Sequence, residues 1–246
     1  MRSGLYSYSQ DPAWRKAFFR NPRRQWRPWQ LLGYSFRHPL RFKPGTKFDY
    51  SNTNLILLGL LVEKMSGQPL SVFIRRNILR PAHLTHTRCS HTAPASRGHT
   101  PRATPIRPPA GNTPMRRPGT PRGAGRRALW SRHAPNCADG HESWPPERFS
   151  PWRHNVSANG TYPQGVPGGG YGLGLFKING WVGHNGALPG YQSVTMYLPS
   201  KRATMVILIN TDINYKNNEP STFVARAITR IISPRHVYYL PPPAQS

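Results

Sequence analysis

Hydrophobic positions near the start of the chain recur at helical spacing. Asp11-Pro12 has the form of a helix start, because Asp is a good N-cap and Pro suits the first helical position. Trp14, Ala17 and Phe18 then fall on one face of the predicted helix. This spacing predicts an amphipathic helix that buries its aromatic face.

A more strongly apolar helix follows in the same region. A second helix is predicted to begin near Pro28, and Pro44-Gly45 marks a turn. Residues 54–65 are apolar nearly all round, which is typical of a buried helix. Gly67 is expected to end that helix in a left-handed conformation, and a short helix is predicted over residues 70–79.

Beyond about residue 170 the pattern changes to strands. The predicted strands cover residues 171–176, 181–182, 193–198 and 204–209, and Pro199–Arg202 connects the last two as a hairpin. The aliphatic run from Met205 to Ile209 is typical of a central strand covered on both faces. A final helix is predicted over residues 223–232, with its apolar stripe formed by Phe223, Ala227, Ile228 and Ile231.

Hairpin strands followed by a helix predict an antiparallel sheet with a helix on its face. The predicted fold class is therefore α/β of the α+β kind: an antiparallel sheet flanked by helices, plus a helical subdomain. Four segments follow from the pattern: the helical part over 1–87, an atypical segment over 88–169, the sheet with its helix over 170–235, and a Pro-rich tail over 236–246.

The atypical segment has a composition unlike the rest. Residues 88–154 contain 12 Arg, 12 Pro and no Lys, and their aliphatic residues of the Val, Ile and Leu type are Ile106 and Leu129. Such a segment buries too little apolar area to balance an ordering entropy of about 1–2 kcal/mol per residue. The composition predicts a disordered segment, or one whose coding sequence has shifted frame.

The charge balance raises an alternative function. The chain carries 34 Lys and Arg against 8 acids, a formal charge of +26. With Arg and Trp interleaved over residues 23–29, this favours a module that binds nucleic acid or an anionic polymer. The atypical segment supplies a large share of the charge, which makes nucleic acid the weaker alternative.

Other sequence signals bear on metal binding, export and membrane insertion. Cys89 and Cys137 lack zinc-site spacing, and two cysteines leave a single disulfide open. The first residues have no apolar core of a signal peptide, and no run reaches the roughly 18 apolar residues of a membrane span. We expect no metal, no cofactor and no membrane span.

Two short motifs carry the candidate chemistry. Tyr50-Ser51-Asn52 follows the Pro-Gly turn and precedes the apolar helix, and His184-Asn185-Gly186 lies ahead of an apolar hairpin. In order and context these resemble the second and third motifs of the penicillin-recognising serine hydrolases, which include class C β-lactamases and D-Ala-D-Ala carboxypeptidases. Ser3-Gly4-Leu5 is similar to a segment that precedes them in that family. The resemblance implies a β-lactamase/transpeptidase-like fold, here incomplete.

The resemblance also implies roles for these residues. Tyr50 would act as the base, which for a phenol needs nearby cations to lower its pKa, and His184 would supply part of that positive charge. Asn52 would bind the substrate amide and a neighbouring lysine. The backbone N–H of Ala187 would stabilise the oxyanion, with Asn185 and Gly186 beside it in the substrate site.

The family's nucleophile is absent from this sequence. No serine is followed by lysine three residues later, so the Ser-x-x-Lys motif is missing and the chain is expected to be an amino-terminally truncated, inactive relative. By resemblance the substrates are small molecules or peptidoglycan peptides, namely D-Ala-D-Ala termini, β-lactams or esters. Full-length relatives are expected to act outside the cytoplasm.

Overall fold

The structure is a computed structural model, and it describes residues 1–22, 24–85, 87–89, 129–131, 169–172, 174–211, 213–215 and 218–240. The contacts divide the chain into two units, Met1–Gly98 with Gly119–Arg148 and His99–Pro118 with Phe149–Ser246. We call them the helical unit and the sheet unit. The structure describes little of residues 88–169, so the predicted disorder or frameshift falls mainly outside the described residues.

The first helix of the helical unit, α1 (Pro12–Arg20), forms as predicted. The Asp11 carboxylate caps it by accepting a 2.8 Å hydrogen bond from the Trp14 backbone N–H. Trp14 and Phe18 are buried on its inner face. They form an aromatic core with three other buried residues, Tyr8, Trp26 and Leu31.

Helix α2 (Pro28–Phe36) also begins where predicted, and α3 (Asn52–Ser66) begins two residues before the predicted apolar run. Gly67 ends α3 in the left-handed conformation, as predicted. The short helix α4 (Leu70–Ile74) continues as a π-helical turn over Arg75–Leu79.

The prediction that the apolar helix is buried is wrong. Thr53 is the buried residue of α3, whereas one side of the helix exposes large apolar side chains: Leu55, Leu58, Leu61 and Met65. An apolar pattern all round a helix does not tell which side meets a neighbour, and α3 packs on α2 and α4 with part of its surface only. No single described helix is long and apolar enough to cross a membrane, although α3 and Leu70–Leu79, bent by 82°, pass that test as a pair.

Two short strands complete the described part of the helical unit. Strand β1 (Thr87–Cys89) pairs antiparallel with β2 (Leu129–Ser131), which places Thr87 opposite Ser131. Strand β2 therefore belongs to the atypical segment over residues 88–169. Cys137, the other cysteine, lies outside the described residues.

The sheet unit contains a five-stranded antiparallel sheet whose strands are neighbours in chain order. Its strands are β3 (Gly170–Tyr171), β4 (Phe176–Ile178), β5 (Trp181–Leu188), β6 (Tyr191–Leu198) and β7 (Ala203–Ile209). Residues 171–176 are thus two strand ends and a turn, not the single strand predicted. The turn closes when Gly172 N–H donates to the Leu175 carbonyl at 2.7 Å.

Strand β7 lies at an edge of the described sheet, so the prediction that it is central is wrong. Its Leu208 side chain is 74% exposed. The Pro199–Arg202 hairpin connection forms as predicted, with Arg202 in the left-handed region. A run of aliphatic residues gives a strand its conformation but does not give it a second neighbour.

Helix α5 (Pro220–Ile232) lies against β6 and β7, but not through the predicted stripe. Its buried residues are small: Ser221, Thr222, Ala225 and Thr229. Ile231 is 82% exposed. Small side chains let the helix approach the sheet closely, and the Thr229 hydroxyl is satisfied by donating to the Ala225 carbonyl at 2.8 Å.

Residues after α5 pack on the sheet unit. The Tyr238 side chain is fully buried, and its backbone N–H donates to Thr229 Oγ1 at 2.8 Å. Trp181 Nε1 donates to the His236 carbonyl at 2.6 Å. The start of the predicted tail therefore contributes to the core of this unit.

Gly183 sets how closely β5 and β6 approach. A Cβ atom on Gly183 would overlap the Thr195 carbonyl oxygen and lie 2.8 Å from Met196 Cα. Because both obstacles are backbone atoms of the neighbouring strand, they cannot rotate away. The strands would have to separate to admit any side chain.

We expect Gly183→Ala to lower the free energy of unfolding by about 2 kcal/mol or more, because the added methyl group forces β5 and β6 apart. Urea unfolding followed by circular dichroism measures the change. Gly33→Ala is the matched control: nothing lies within 4 Å of a Cβ at this exposed position in α2, so alanine should stabilise by about 0.5–1 kcal/mol. An unchanged midpoint for Gly183→Ala would contradict the packing described.

Candidate functional site

The Tyr50-Ser51-Asn52 motif lies at the amino-terminal end of α3. Ser51 is the N-cap and Asn52 the first helical residue, while Tyr50 is half-buried just before the helix. Asn52 is held twice from one segment: its backbone N–H donates to Ser7 Oγ at 3.0 Å and its Nδ2 donates to Ser9 Oγ at 2.9 Å. The amide of Asn52 therefore has a defined orientation.

The same segment is bound to the next residue of the helix. Thr53 is fully buried, and its hydroxyl donates to the Tyr6 carbonyl at 2.8 Å and accepts from the Tyr8 backbone N–H at 3.1 Å. Residues 6–9 are thus fixed against the start of α3. Sequence reasoning missed Ser7 and Ser9, since their only signal is a Ser-x-Ser pattern 43 or more positions away from the motif. It also missed Thr53, which directly follows the motif.

His184 lies in β5 within an aromatic surrounding. Its ring contacts Tyr171 and Phe176 edge-on, with centroids 5.7 Å and 5.1 Å away. Nδ1 lies 2.5 Å from the Asn185 carbonyl oxygen, and Nε2 lies 3.1 Å from the Tyr171 hydroxyl. Because a carbonyl only accepts, Nδ1 carries the proton, and in the neutral ring Nε2 accepts from Tyr171.

Burial of His184 lowers the pKa of its imidazole below the ordinary value of 6.5, although the hydrogen bond to Asn185 acts in the opposite direction. The ring is therefore neutral at neutral pH. The lowered pKa runs against the expectation that His184 supplies positive charge, and the role of this residue stays a prediction. Its two hydrogen bonds instead give the ring a fixed tautomer and orientation.

Asn185 points to the opposite face of β5 from His184, as alternation along a strand requires. Its Nδ2 donates to Glu219 Oε2 at 3.2 Å. Glu219 is the N-cap residue of α5 and lies 34 positions away, so sequence reasoning missed it. Burial raises the pKa of the Glu219 carboxyl above its ordinary value of 4.5, against the effect of the hydrogen bonds from Asn185 and Ser221.

Gly186 and Ala187 complete the predicted substrate-binding residues. Gly186 pairs with Ser193, whose Oγ would lie 2.8 Å from a Cβ on that glycine. Ala187 is exposed and pairs with Gln192. The two-residue turn makes Leu188 and Tyr191 a hydrogen-bonded pair, so by alternation the Ala187 N–H points away from β6.

The predicted residues thus form two groups. Tyr50 and Asn52 lie together in the helical unit, whereas His184, Asn185, Gly186 and Ala187 lie together in the sheet unit. Each group has its orientation defined within its own unit. Among the described residues, no three His, Cys, Asp or Glu side chains are grouped so that they could hold a metal ion.

The basic and aromatic segment over residues 23–29 is the one predicted to bind nucleic acid. Part of it packs in the core of the helical unit. Arg24 stacks 4.1 Å from the Trp26 ring, but Trp26 is buried among the aromatic residues of the helical unit. Trp29, in contrast, is 64% exposed. Trp26 is therefore not available to stack on a base, and nucleic-acid binding stays a prediction.

Known proteins resemble this chain over most of its length. Residues 1–228 match the model of the family described as Beta-lactamase. The chain is 45% identical over 58 residues to the "Putative D-alanyl-D-alanine carboxypeptidase" of Escherichia coli (strain K12), covering 24% of this chain and 13% of that protein. It is 28% identical over 189 residues to Protein flp of Staphylococcus aureus (strain N315), covering 72% of this chain and 36% of that protein.

Solved structures show the same fold. A D-stereospecific amidohydrolase from Streptomyces sp. matches with a TM-score of 0.65 and 24% identity, over 85% of this chain and 65% of that one. A D-amino acid amidase from Ochrobactrum anthropi SV3 matches with a TM-score of 0.58 and 19% identity, over 85% and 63%. The predicted β-lactamase/transpeptidase-like combination of helices and antiparallel sheet is confirmed, and the chain spans less than two thirds of each of these structures.

We expect nitrogen NMR of the His184 ring to show a proton on Nδ1 at neutral pH. The folded pKa lies below the unfolded value of 6.5, so the unfolded chain takes up the proton more readily and the folded state loses stability as pH falls through that value. Urea unfolding at about pH 8 and about pH 5.5 tests this, with His184→Gln as the variant that lacks the titrating group. Equal pH dependence in both proteins, or a proton on Nε2 instead, would contradict the geometry.

Proposed function

Because the chain belongs to the Beta-lactamase family, we propose that it carries the substrate-binding groups of a serine acyl hydrolase for D-amino acid derivatives. The substrate class is amides or peptides with a D-amino acid next to the scissile bond. The names of the structural relatives, a D-stereospecific amidohydrolase and a D-amino acid amidase, support this choice. The corresponding location is outside the cytoplasm, where peptidoglycan peptides occur.

The observation that carries the proposal is the edge of β5 that turns away from β6. Among the described residues, β4 pairs with β5 only as far as Gly183. The His-Asn-Gly motif and Ala187 follow directly after that point, with β6 on their other side. From the resemblance of this motif to the family's third motif, we propose that an extended substrate pairs along this stretch of β5.

The Ala187 N–H supplies the chemistry at that edge. It points away from β6, and by resemblance it would donate to the substrate oxygen on which negative charge develops. Gly186 has no side chain, so no Cβ atom occupies the face of β5 next to Ser193 Oγ. In the complete reaction this donor would act on the oxyanion.

For Tyr50 and Asn52 we propose the roles that the resemblance implies. The Asn52 amide, oriented by Ser9, would hydrogen-bond the substrate amide, and the Tyr50 hydroxyl would move the proton between nucleophile and leaving group. A phenol needs a lowered pKa for that role, which a nearby cation would supply.

We propose further that the chain on its own binds substrate reversibly and forms no acyl-enzyme. None of its serines has a lysine three residues later, and Ser-x-x-Lys is the nucleophile motif of the family. The residues that remain would orient a substrate without attacking it. Measurements of reversible binding test whether the chain binds substrate. Covalent labelling tests separately whether it forms an acyl-enzyme.

Ala187→Pro should weaken binding of N-acetyl-D-alanine amide about tenfold, because proline removes the N–H that points at the substrate. Backbone amide shifts of β5 in an NMR titration give the affinity. Ala187→Gly retains the N–H and should bind as the unaltered chain does, and N-acetyl-L-alanine amide should bind less tightly than its D-isomer. Equal affinities of the unaltered chain, Ala187→Pro and Ala187→Gly for N-acetyl-D-alanine amide would contradict the proposed role of β5.

A fluorescent penicillin should leave no covalent adduct on the chain after denaturing electrophoresis. The physical reason is that a serine hydroxyl without an adjacent base is a poor nucleophile at neutral pH. A stable adduct mapped to a serine by mass spectrometry would show that another serine has taken that role.

A further inference from the structure

Helix α3 exposes a row of large apolar side chains along one side. Successive residues of a helix are about 100° apart, so the four exposed ones lie within an arc of about 120°. We call this row the α3 stripe: Leu55, Leu58, Leu61 and Met65. It is about 15 Å long at 1.5 Å per residue, and its last side chain, Met65, is 78% exposed. A contiguous apolar row at a surface marks a contact site, whereas a single exposed leucine does not.

Basic side chains border the stripe at its carboxyl-terminal end. Lys64 is exposed and directly precedes the last residue of the stripe. The Arg76 guanidinium lies 3.5 Å from Gln68 Oε1, which places its charge beside the residues that follow α3. Arg75 and Arg80 are exposed on the same connected segment. The apolar row therefore ends in a group of positive charges.

The acidic residues of this part of the chain do not offset those charges. Residues 1–87 contain 15 Lys and Arg against 3 acids. All three acids have partners within the helical unit: Asp11 with His38, Asp49 with Arg41, and Glu63 with the Leu70 N–H. Glu63 also lies on roughly the opposite side of α3 from the stripe, at about 100° per residue. The surface beside the stripe is thus apolar and positively charged.

Charge complementarity selects the partner for such a surface. A second copy of the chain carries the same excess of positive charge and would be repelled. An anionic lipid bilayer meets both requirements, because its acyl chains take up apolar side chains and its phosphate groups attract Lys and Arg. A long basic side chain can reach the headgroups while its stem stays on the apolar surface.

We infer that the α3 stripe binds the surface of an anionic phospholipid bilayer. The apolar side chains would enter the layer just below the headgroups, and Lys64 and Arg76 would contact lipid phosphates. The helix would lie in the plane of the surface rather than cross the bilayer. This inference does not depend on the proposed function, because it uses a different surface and a different ligand.

Sedimentation with lipid vesicles tests the inference on the full chain. Vesicles of phosphatidylcholine and phosphatidylglycerol in equal parts should bind the chain at least about tenfold more tightly than vesicles of phosphatidylcholine alone. The double variant Leu58→Gln with Leu61→Gln should lose about tenfold or more in affinity for the anionic vesicles, because its apolar contact is removed. Lys64→Gln with Arg76→Gln should lose about tenfold for the anionic vesicles and nothing for the neutral ones.

The sheet unit supplies matched controls at exposed positions. Ile231→Gln with Ile232→Gln removes two exposed apolar side chains, and Arg230→Gln with Arg235→Gln removes two exposed charges. Both control variants should bind the anionic vesicles as the unaltered chain does. An equal loss in a control and in its α3 counterpart would assign binding to overall charge or apolarity, and would overturn the inference.

The remaining outcomes identify other occupants of the stripe. A lower urea midpoint for Leu58→Gln with Leu61→Gln would show that the stripe packs on the chain's own residues. A dimer seen by light scattering that this variant dissociates would assign the stripe to a second copy. An unaltered chain that does not bind the anionic vesicles would leave an acidic protein as the partner. Each of these three results would overturn the inference, and none of them bears on the proposed function.

Discussion

The register between β5 and β6 is the constraint on which the candidate site depends. A two-residue turn joins the strands and places Leu188 opposite Tyr191, and each earlier pair follows from that one. A shift of one residue would exchange the two faces of β5. Gly183 reinforces this register because it lets the β6 backbone approach so closely that no side chain fits there.

That register gives the two faces of β5 different chemistry. On one face His184 lies between Tyr171 and Phe176, where burial keeps its ring neutral. On the other face Asn185 binds Glu219 at the start of α5. The motif thus places an imidazole on one face of the strand and, on the other face, an amide that donates to the Glu219 carboxyl group.

The helical unit fixes its motif by a different device. Tyr50 and Asn52 stand at the start of α3, and the segment from Tyr6 to Ser9 is bound to that start through hydroxyl groups rather than through a strand ladder. The buried Thr53 hydroxyl satisfies both a backbone donor and a backbone acceptor of the segment, which makes it costly to replace. The chain belongs to the Beta-lactamase family, and the geometry shows how each of the two segments is held within its own unit.

The sequence by itself determined what local chemistry decides. Asp11 and Pro12 start a helix, Gly67 ends one, and the antiparallel hairpins follow from turns and alternation, because caps, turns and alternation act over a few residues. Tertiary structure alone decided which faces are buried. The exposed leucines of α3, the edge position of β7 and the small buried face of α5 all depend on which neighbour lies against each element. For the same reason Glu219 escaped sequence reasoning: its contact with Asn185 joins residues 34 positions apart, and only the folded sheet unit brings them together.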